Sequence, residues 1–120
     1  MNKNFANKRS EVAFKQVSEV APNSFQKYRS LVRSLPATIL NSGYGLAMAS
    51  LYSNYSKNES KALYDHIEVW LKDQQMLPNN SQNLMENIAE SDKDTYRLLE
   101  SETLALLEWL KRFAEGASIS

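Results

Sequence analysis

Apolar residues recur three and four positions apart along almost the whole chain, and nowhere do they settle into the two-residue alternation of a half-buried strand. Prolines at 22, 36 and 78, glycines at 43, 45 and 116 and several polar breaks divide this pattern into about six helical segments. The first, from about Asn4 to Val20, offers Phe5, Val12, Ala13, Phe14, Val17 and Val20 as a broad apolar side. It stops before Pro22, because the residue preceding a proline is driven out of the helical region. Ser24 suits the N-cap of a second helix with Tyr28, Leu31, Val32 and Leu35 inward. Pro36 suits the first turn of a third, where its missing N–H would have had no partner. Asn58 opens a fourth, with Leu63, Ile67, Trp70 and Leu71 on one side.

After a polar loop at 77–80, the expected flexible joint, Ser81 is placed to cap a short fifth helix that packs through Leu84, Met85, Ile88 and Ala89. Asp92 starts the last helix. There Tyr96, Leu99, Thr103, Leu106, Leu110 and Phe113 form a stripe that Leu98, Leu107 and Trp109 widen, as befits the centre of a bundle. Gly116 is expected just past its end, with the tail to Ser120 fraying. The expected fold is all-α: one bundle of about six helices spanning residues 1–120, with 116–120 as a frayed tail.

At 120 residues the chain can bury roughly two-thirds of its unfolded surface and needs no covalent staple. It has no cysteine, which removes disulfides, thiolate ligands and a thiol nucleophile. The polar start MNKNFANKRSEVAFK lacks a signal-peptide core, and no stretch approaches the ~18 apolar residues of a membrane span. A cytoplasmic protein with no membrane contact is expected. Fourteen bases balance fourteen acids, but residues 1–35 hold seven bases against two acids and the remainder seven against twelve. Such polarity suits a basic face for phosphates and an acidic one for a protein neighbour, or neutralisation of one half by the other within the fold.

Asn41-Ser42-Gly43-Tyr44-Gly45 interrupts the third segment and invites a nucleotide-loop reading. A dinucleotide fingerprint fails on Met48, which stands where a third glycine is needed, and on the helical residues before it; no lysine follows as in a phosphate-cradling loop. Gly43 and Gly45, with Ala47 and Ala49, instead suit a surface that another helix approaches closely. His66 is the only histidine, and with Asp65 and Glu68 it makes no recognisable metal site, so it is expected to be a solvated helix residue. No serine has a nucleophile-elbow context. The expected protein is not an enzyme and takes no metal and no cofactor.

The basic residues remain. Arg29 and Arg33 are four apart and share a helix face, as do Lys8 and Lys15, seven apart; either pair could straddle phosphates or simply be solvated. Arg9, close to Phe5 and Val12, is expected to be partly buried.

YRSLVRSLPATILNSGYGLAMASLY (28–52), followed late in the chain by YRLLESETLALLEWLKRFAEG (96–116), resembles the small all-helical subunit of the type III-B CRISPR effector, the Cmr complex. The shared features are an arginine-bearing helix running into Leu35-Pro36, a helix containing Gly43-Tyr44-Gly45, and an acidic helix ending in Trp109 to Ala114. The resemblance implies a non-catalytic structural subunit that stacks as several copies beside the backbone subunits holding the CRISPR RNA. Its partners would be the other effector subunits, further copies of itself, and the backbones of CRISPR RNA and target RNA. Lys8, Lys15, Lys27, Arg29 and Arg33 are the expected phosphate contacts. Lys111 and Arg112 join them from within the matched motif, although Glu108 and Glu115 compete for Lys111. The rival expectation is a stand-alone helical adaptor that binds only protein.

Overall fold

A computed structural model describes residues 4–117, all but the side chain of Ala6. Six α-helices and no strand are present among them: α1 (Phe5–Ser18), α2 (Phe25–Ser42), α3 (Tyr44–Ser53), α4 (Asn58–Asp73), α5 (Leu84–Glu90) and α6 (Lys93–Ala117), with a 3-10 turn at Pro22–Ser24 before α2. Asn4 starts α1 by accepting the Asn7 N–H on its side chain at 2.8 Å. Asp92 starts α6 in the same way, accepting the Thr95 N–H at 2.8 Å. The long helices α2 and α6 form the middle of the bundle. α2 packs on α3, α4 and α6, while α6 also covers α1 and α4. The core they enclose includes Tyr28, Val32 and Ile39 of α2, Tyr44 and Met48 of α3, Leu63, Ile67 and Trp70 of α4, and Leu99, Leu106, Leu107 and Leu110 of α6.

The helix boundaries depart from the local signals in four places. Pro36 does not open a helix; it lies inside α2, which continues to Ser42. An interior proline costs about 3 kcal/mol, and the buried series Tyr28, Val32, Leu35, Ile39 holds the helix together on both sides of it. The true break is Gly43, whose φ of +91° and ψ of 153° lie in a region that side-chain-bearing residues avoid. Its N–H closes α2 on the Ile39 carbonyl and its own carbonyl opens α3 by accepting the Ala47 N–H. Gly43 has no neighbour within 4 Å of the place a Cβ would occupy, so it serves backbone geometry and not close packing. Gly45 does meet the packing expectation: a Cβ there would lie 3.3 Å from the Tyr96 hydroxyl, which accepts the Gly45 N–H at 2.7 Å.

Ser81 is not the cap of α5. Asn83 is, in a capping box with Glu86, and Glu68 and Tyr64 of α4 accept the next two N–H groups, those of Leu84 and Met85. Every donor at the start of this seven-residue helix is thereby satisfied, which lets so short a helix persist. The loop expected to be a joint is tied down by buried Asn87, whose side chain accepts the Asn79 N–H and donates to the carbonyls of Asn79 and Asn83. Gly116 lies within α6, which runs to Ala117; residues 118–120 of the expected frayed tail fall outside the described residues.

Two polar side chains explain much of the interior. Glu102 of α6 is buried, and its carboxylate accepts from Arg9 Nε at 2.7 Å, from Arg9 Nη2 at 2.9 Å and from Trp70 Nε1 at 2.8 Å. One acid thus ties α1, α4 and α6 together, and Arg9, stacked over Phe5 at 4.9 Å, is partly buried as expected and acts as a structural cation. His66 departs from expectation. Its Nδ1 is 2.8 Å from the Tyr28 hydroxyl, its ring lies edge-on to Tyr28, and burial lowers its pKa to about 4, against smaller upward pulls from Glu19 and Asp65. It is a neutral, partly buried member of the α2–α4 interface. A helical period places it on the exposed margin of α4, and only the approach of Tyr28 from α2 reveals its role.

Candidate nucleic-acid interface

The seven candidate cations do not form one continuous face. Lys8 and Lys15 are exposed on α1. Lys15 lines a groove between α1 and α4 that also holds Glu19, Asp65, His66 and Asp73, so carboxylates dominate its surroundings. Lys27 lines a different groove, with Ser30, Ser34 and Glu59, on the α2–α4 side. Three arginines converge at the C-terminal end of α6. Arg33 reaches Glu115 at 3.4 Å, Arg29 lines a cavity with Ala117, and Arg112 lines the adjoining one, also with Ala117. Lys111 is half-buried on the same stretch of α6.

Pairing separates these residues further. Arg112 binds Glu108 at 3.0 Å, and Arg33 has Glu115. The two carboxylates expected to compete for Lys111 are therefore engaged by other residues. Lys8, Lys15, Lys27, Arg29 and Lys111 have no ion-pair partner among the described residues. The Arg33 and Arg112 pairs are solvent-exposed, with side-chain exposures of 53% and 68% on the arginines. Such pairs contribute about 0–1 kcal/mol each, so a phosphate can displace the carboxylate at little cost.

The arginine-lined cavities differ chemically from the grooves that hold the lysines. The larger, about 580 Å³, runs between the end of α1 and the start of α2 past Val17, Phe25 and Arg29. The smaller, about 340 Å³, lies between α1 and α6 and is walled by Phe14, Val17, Phe113 and Arg112. They share Val17, Ser18 and Ala117 and so adjoin along that wall, and among the described residues no carboxylate lines either. An anion is favoured there over the acid-lined grooves of Lys15 and Lys27.

Phe14 belongs to the apolar side read from the sequence, yet it is 63% exposed. Ala13, Gln16 and Val17 form the buried face of α1, and Phe14 stands off it, its ring at right angles to that of Phe113 at a ring-centre distance of 5.3 Å. Phe113 in turn stacks on Trp109 at 5.7 Å. The hint in the sequence was the excess breadth of the apolar side of the first helix, too wide for a helix at the edge of a bundle. Among the described residues no group of three or more His, Asp and Glu side chains is gathered as a metal ion would need, and no helix is long and apolar enough to cross a membrane.

A family model described as CRISPR-associated protein (Cas_Cmr5) matches residues 5–117. Among solved structures the chain is similar to the X-ray crystal structure of a CRISPR-associated Cmr5 family protein from Thermus thermophilus. That match has a TM-score of 0.77 and 27% sequence identity, covering 95% of this chain and 97% of the other. No curated protein matches.

Proposed function

This chain belongs to the CRISPR-associated Cmr5 family, and on that premise we propose that it is a non-catalytic small subunit of a type III-B effector, contacting RNA phosphates through the arginines at the end of α6. It works as one of several copies beside the subunits that hold the CRISPR RNA, and steadies guide and target without cleaving either. The observation that carries this reading is the meeting of Arg29, Arg33 and Arg112 near the end of α6, where Arg29 and Arg112 line adjoining cavities that hold no carboxylate among the described residues and Arg33 is held by exposed Glu115. Phosphate contacts of this kind fix the position of a nucleic acid without reading its sequence. A neutral chain with few such contacts binds RNA weakly alone, and repetition along an assembly raises the effective affinity.

The protein-facing side of this role has its own support. Leu40 and Leu46, on either side of the Gly43 break, are 75% and 65% exposed and lie where α2 turns into α3, away from the arginine groove. A neighbouring subunit has an apolar corner to cover there.

The test is Arg29→Glu combined with Arg33→Glu. Neither residue is buried, so the variant should fold and assemble. The assembled complex should lose RNA retention across unrelated sequences, with a flatter salt dependence. A complex that assembles and holds RNA as tightly as the parent at every salt concentration overturns the assignment and favours the adaptor that binds only protein.

A further inference from the structure

The adjoining cavities at the ends of α1 and α6 contain more than cations. Phosphate binding alone needs no aromatic lining, yet the wall between Arg112 and Arg29 carries an exposed phenylalanine propped by a second ring and a stacked indole. Phe14 keeps 63% of its surface in water while Phe113 and Trp109, beneath it, are part of the packed bundle. An aromatic shelf with arginines at its two ends and, among the described residues, no carboxylate along it matches the needs of single-stranded nucleic acid: a π-face for a base, cations for the flanking phosphates.

Resting on the RNA-contacting reading above, we infer that the smaller cavity takes an unpaired base of single-stranded RNA, stacked on the face of Phe14 while Phe113, set at right angles, braces that ring, with Arg112 and, from the adjoining cavity, Arg29 on the phosphates to either side. A base inside a duplex has both faces covered by its stacked neighbours, so an unpaired nucleotide is the one that can lay a face on Phe14. Stacking uses the π-face that every base possesses and leaves the hydrogen-bonding edge unread, so the site does not discriminate between sequences. Arg112 gives up its exposed bond to Glu108 when a phosphate arrives. The exposure of Phe14 has a function in this account, since the ring is held out to receive a partner.

The experiment uses the purified full chain and an unstructured oligoribonucleotide of mixed sequence, alone and annealed to its complement, with affinity measured by fluorescence anisotropy over a range of salt concentrations. Phe14→Ala removes the most exposed ring of the shelf without opening the core. It should weaken binding to the single strand roughly 5- to 150-fold, the factor that loss of one base–aromatic stack produces, leave binding to the duplex unchanged, and keep the salt slope of the parent. In parallel, an oligonucleotide bearing 5-iodouridine should crosslink under ultraviolet light to Phe14 or Phe113. Unchanged single-strand affinity in Phe14→Ala, or crosslinks confined to other segments, overturns the base site. If Arg29→Glu with Arg33→Glu still abolishes binding in that case, the phosphate contact survives its loss. If Phe14→Ala instead frees the chain from the assembled complex while the chain alone binds RNA normally, the shelf docks protein and the inference is wrong.

Discussion

Glu102 joins three helices at one point, because three donors from two other helices end on one buried carboxylate. Removing one partner of such a pair strands the other charge in a medium that solvates it poorly. Glu102→Ala should therefore cost about 3–5 kcal/mol, read as a lowered urea midpoint. The paired change Arg9→Met with Glu102→Leu should cost less, about 1–3 kcal/mol, because no charge is then stranded and only the Trp70 Nε1–H loses its acceptor. Arg9 lies among the basic residues of the N-terminal segment, yet a largely buried cation whose charge is met by Glu102 is a poor phosphate contact. The sequence suggested its burial through the nearby Phe5 and Val12, but not its partner, which is 93 residues away.

His66 makes a prediction of a different sign. Its pKa in the fold is about 4, below its ordinary value of 6.5, so the unfolded chain takes up the proton first as the pH falls. The contribution of the neutral ring is complete above about pH 6.5 and is lost progressively between there and pH 4, amounting to about 2 kcal/mol between pH 7 and pH 5. Thermal melts at the two pH values should show this loss, and His66→Gln should remove that share of it. If the parent and the variant lose stability equally, the ring is not held neutral by the fold.

Among the elements, the α2–α3 junction shows best what local signals conveyed and what they did not. The helical period was legible over almost the whole chain because burial on one face of a helix writes that period directly into the sequence. The arrangement around Pro36 and Gly43 was not, since it depends on residues far away in sequence. Helix α2 survives its proline through buried contacts on both sides, and the chain turns instead where glycine alone tolerates the backbone. Likewise α5 draws two of its caps from α4, so the nearby Ser81 was a weaker guide than distant Glu68 and Tyr64. The two glycines should consequently respond differently. Gly43→Ala meets open space but a prohibited φ, and should cost about 1–3 kcal/mol. Gly45→Ala sits in regular helix, where a gain of up to about 1 kcal/mol in propensity offsets the squeeze against Tyr96, leaving the melting temperature nearly unchanged. A larger loss at Gly45 than at Gly43 would reverse this assignment of roles.

At the scale of the whole molecule, the excess of bases in residues 1–35 suggested a single basic face, and the fold distributes them over several surfaces. Periodicity gave the neighbours of each residue on its own helix. It could not bring Arg33 to Glu115, or place Arg29 beside the end of α6, because that convergence is a product of how α1, α2 and α6 pack. The late motif pointed to Arg112 through resemblance alone, and the geometry adds the company it keeps. Membership of the Cmr5 family makes the effector the setting in which this arrangement is to be tested. The most direct measurement compares the reconstituted effector with and without this chain, following the logarithm of its target-RNA association constant against the logarithm of salt concentration. Each phosphate neutralised by a subunit steepens that line by about 0.7 on a single strand. The account predicts weaker binding and a shallower slope when the chain is left out, with both restored by the parent chain and not by Arg29→Glu with Arg33→Glu. Identical slopes with and without the chain, at equal occupancy of the other subunits, would contradict it.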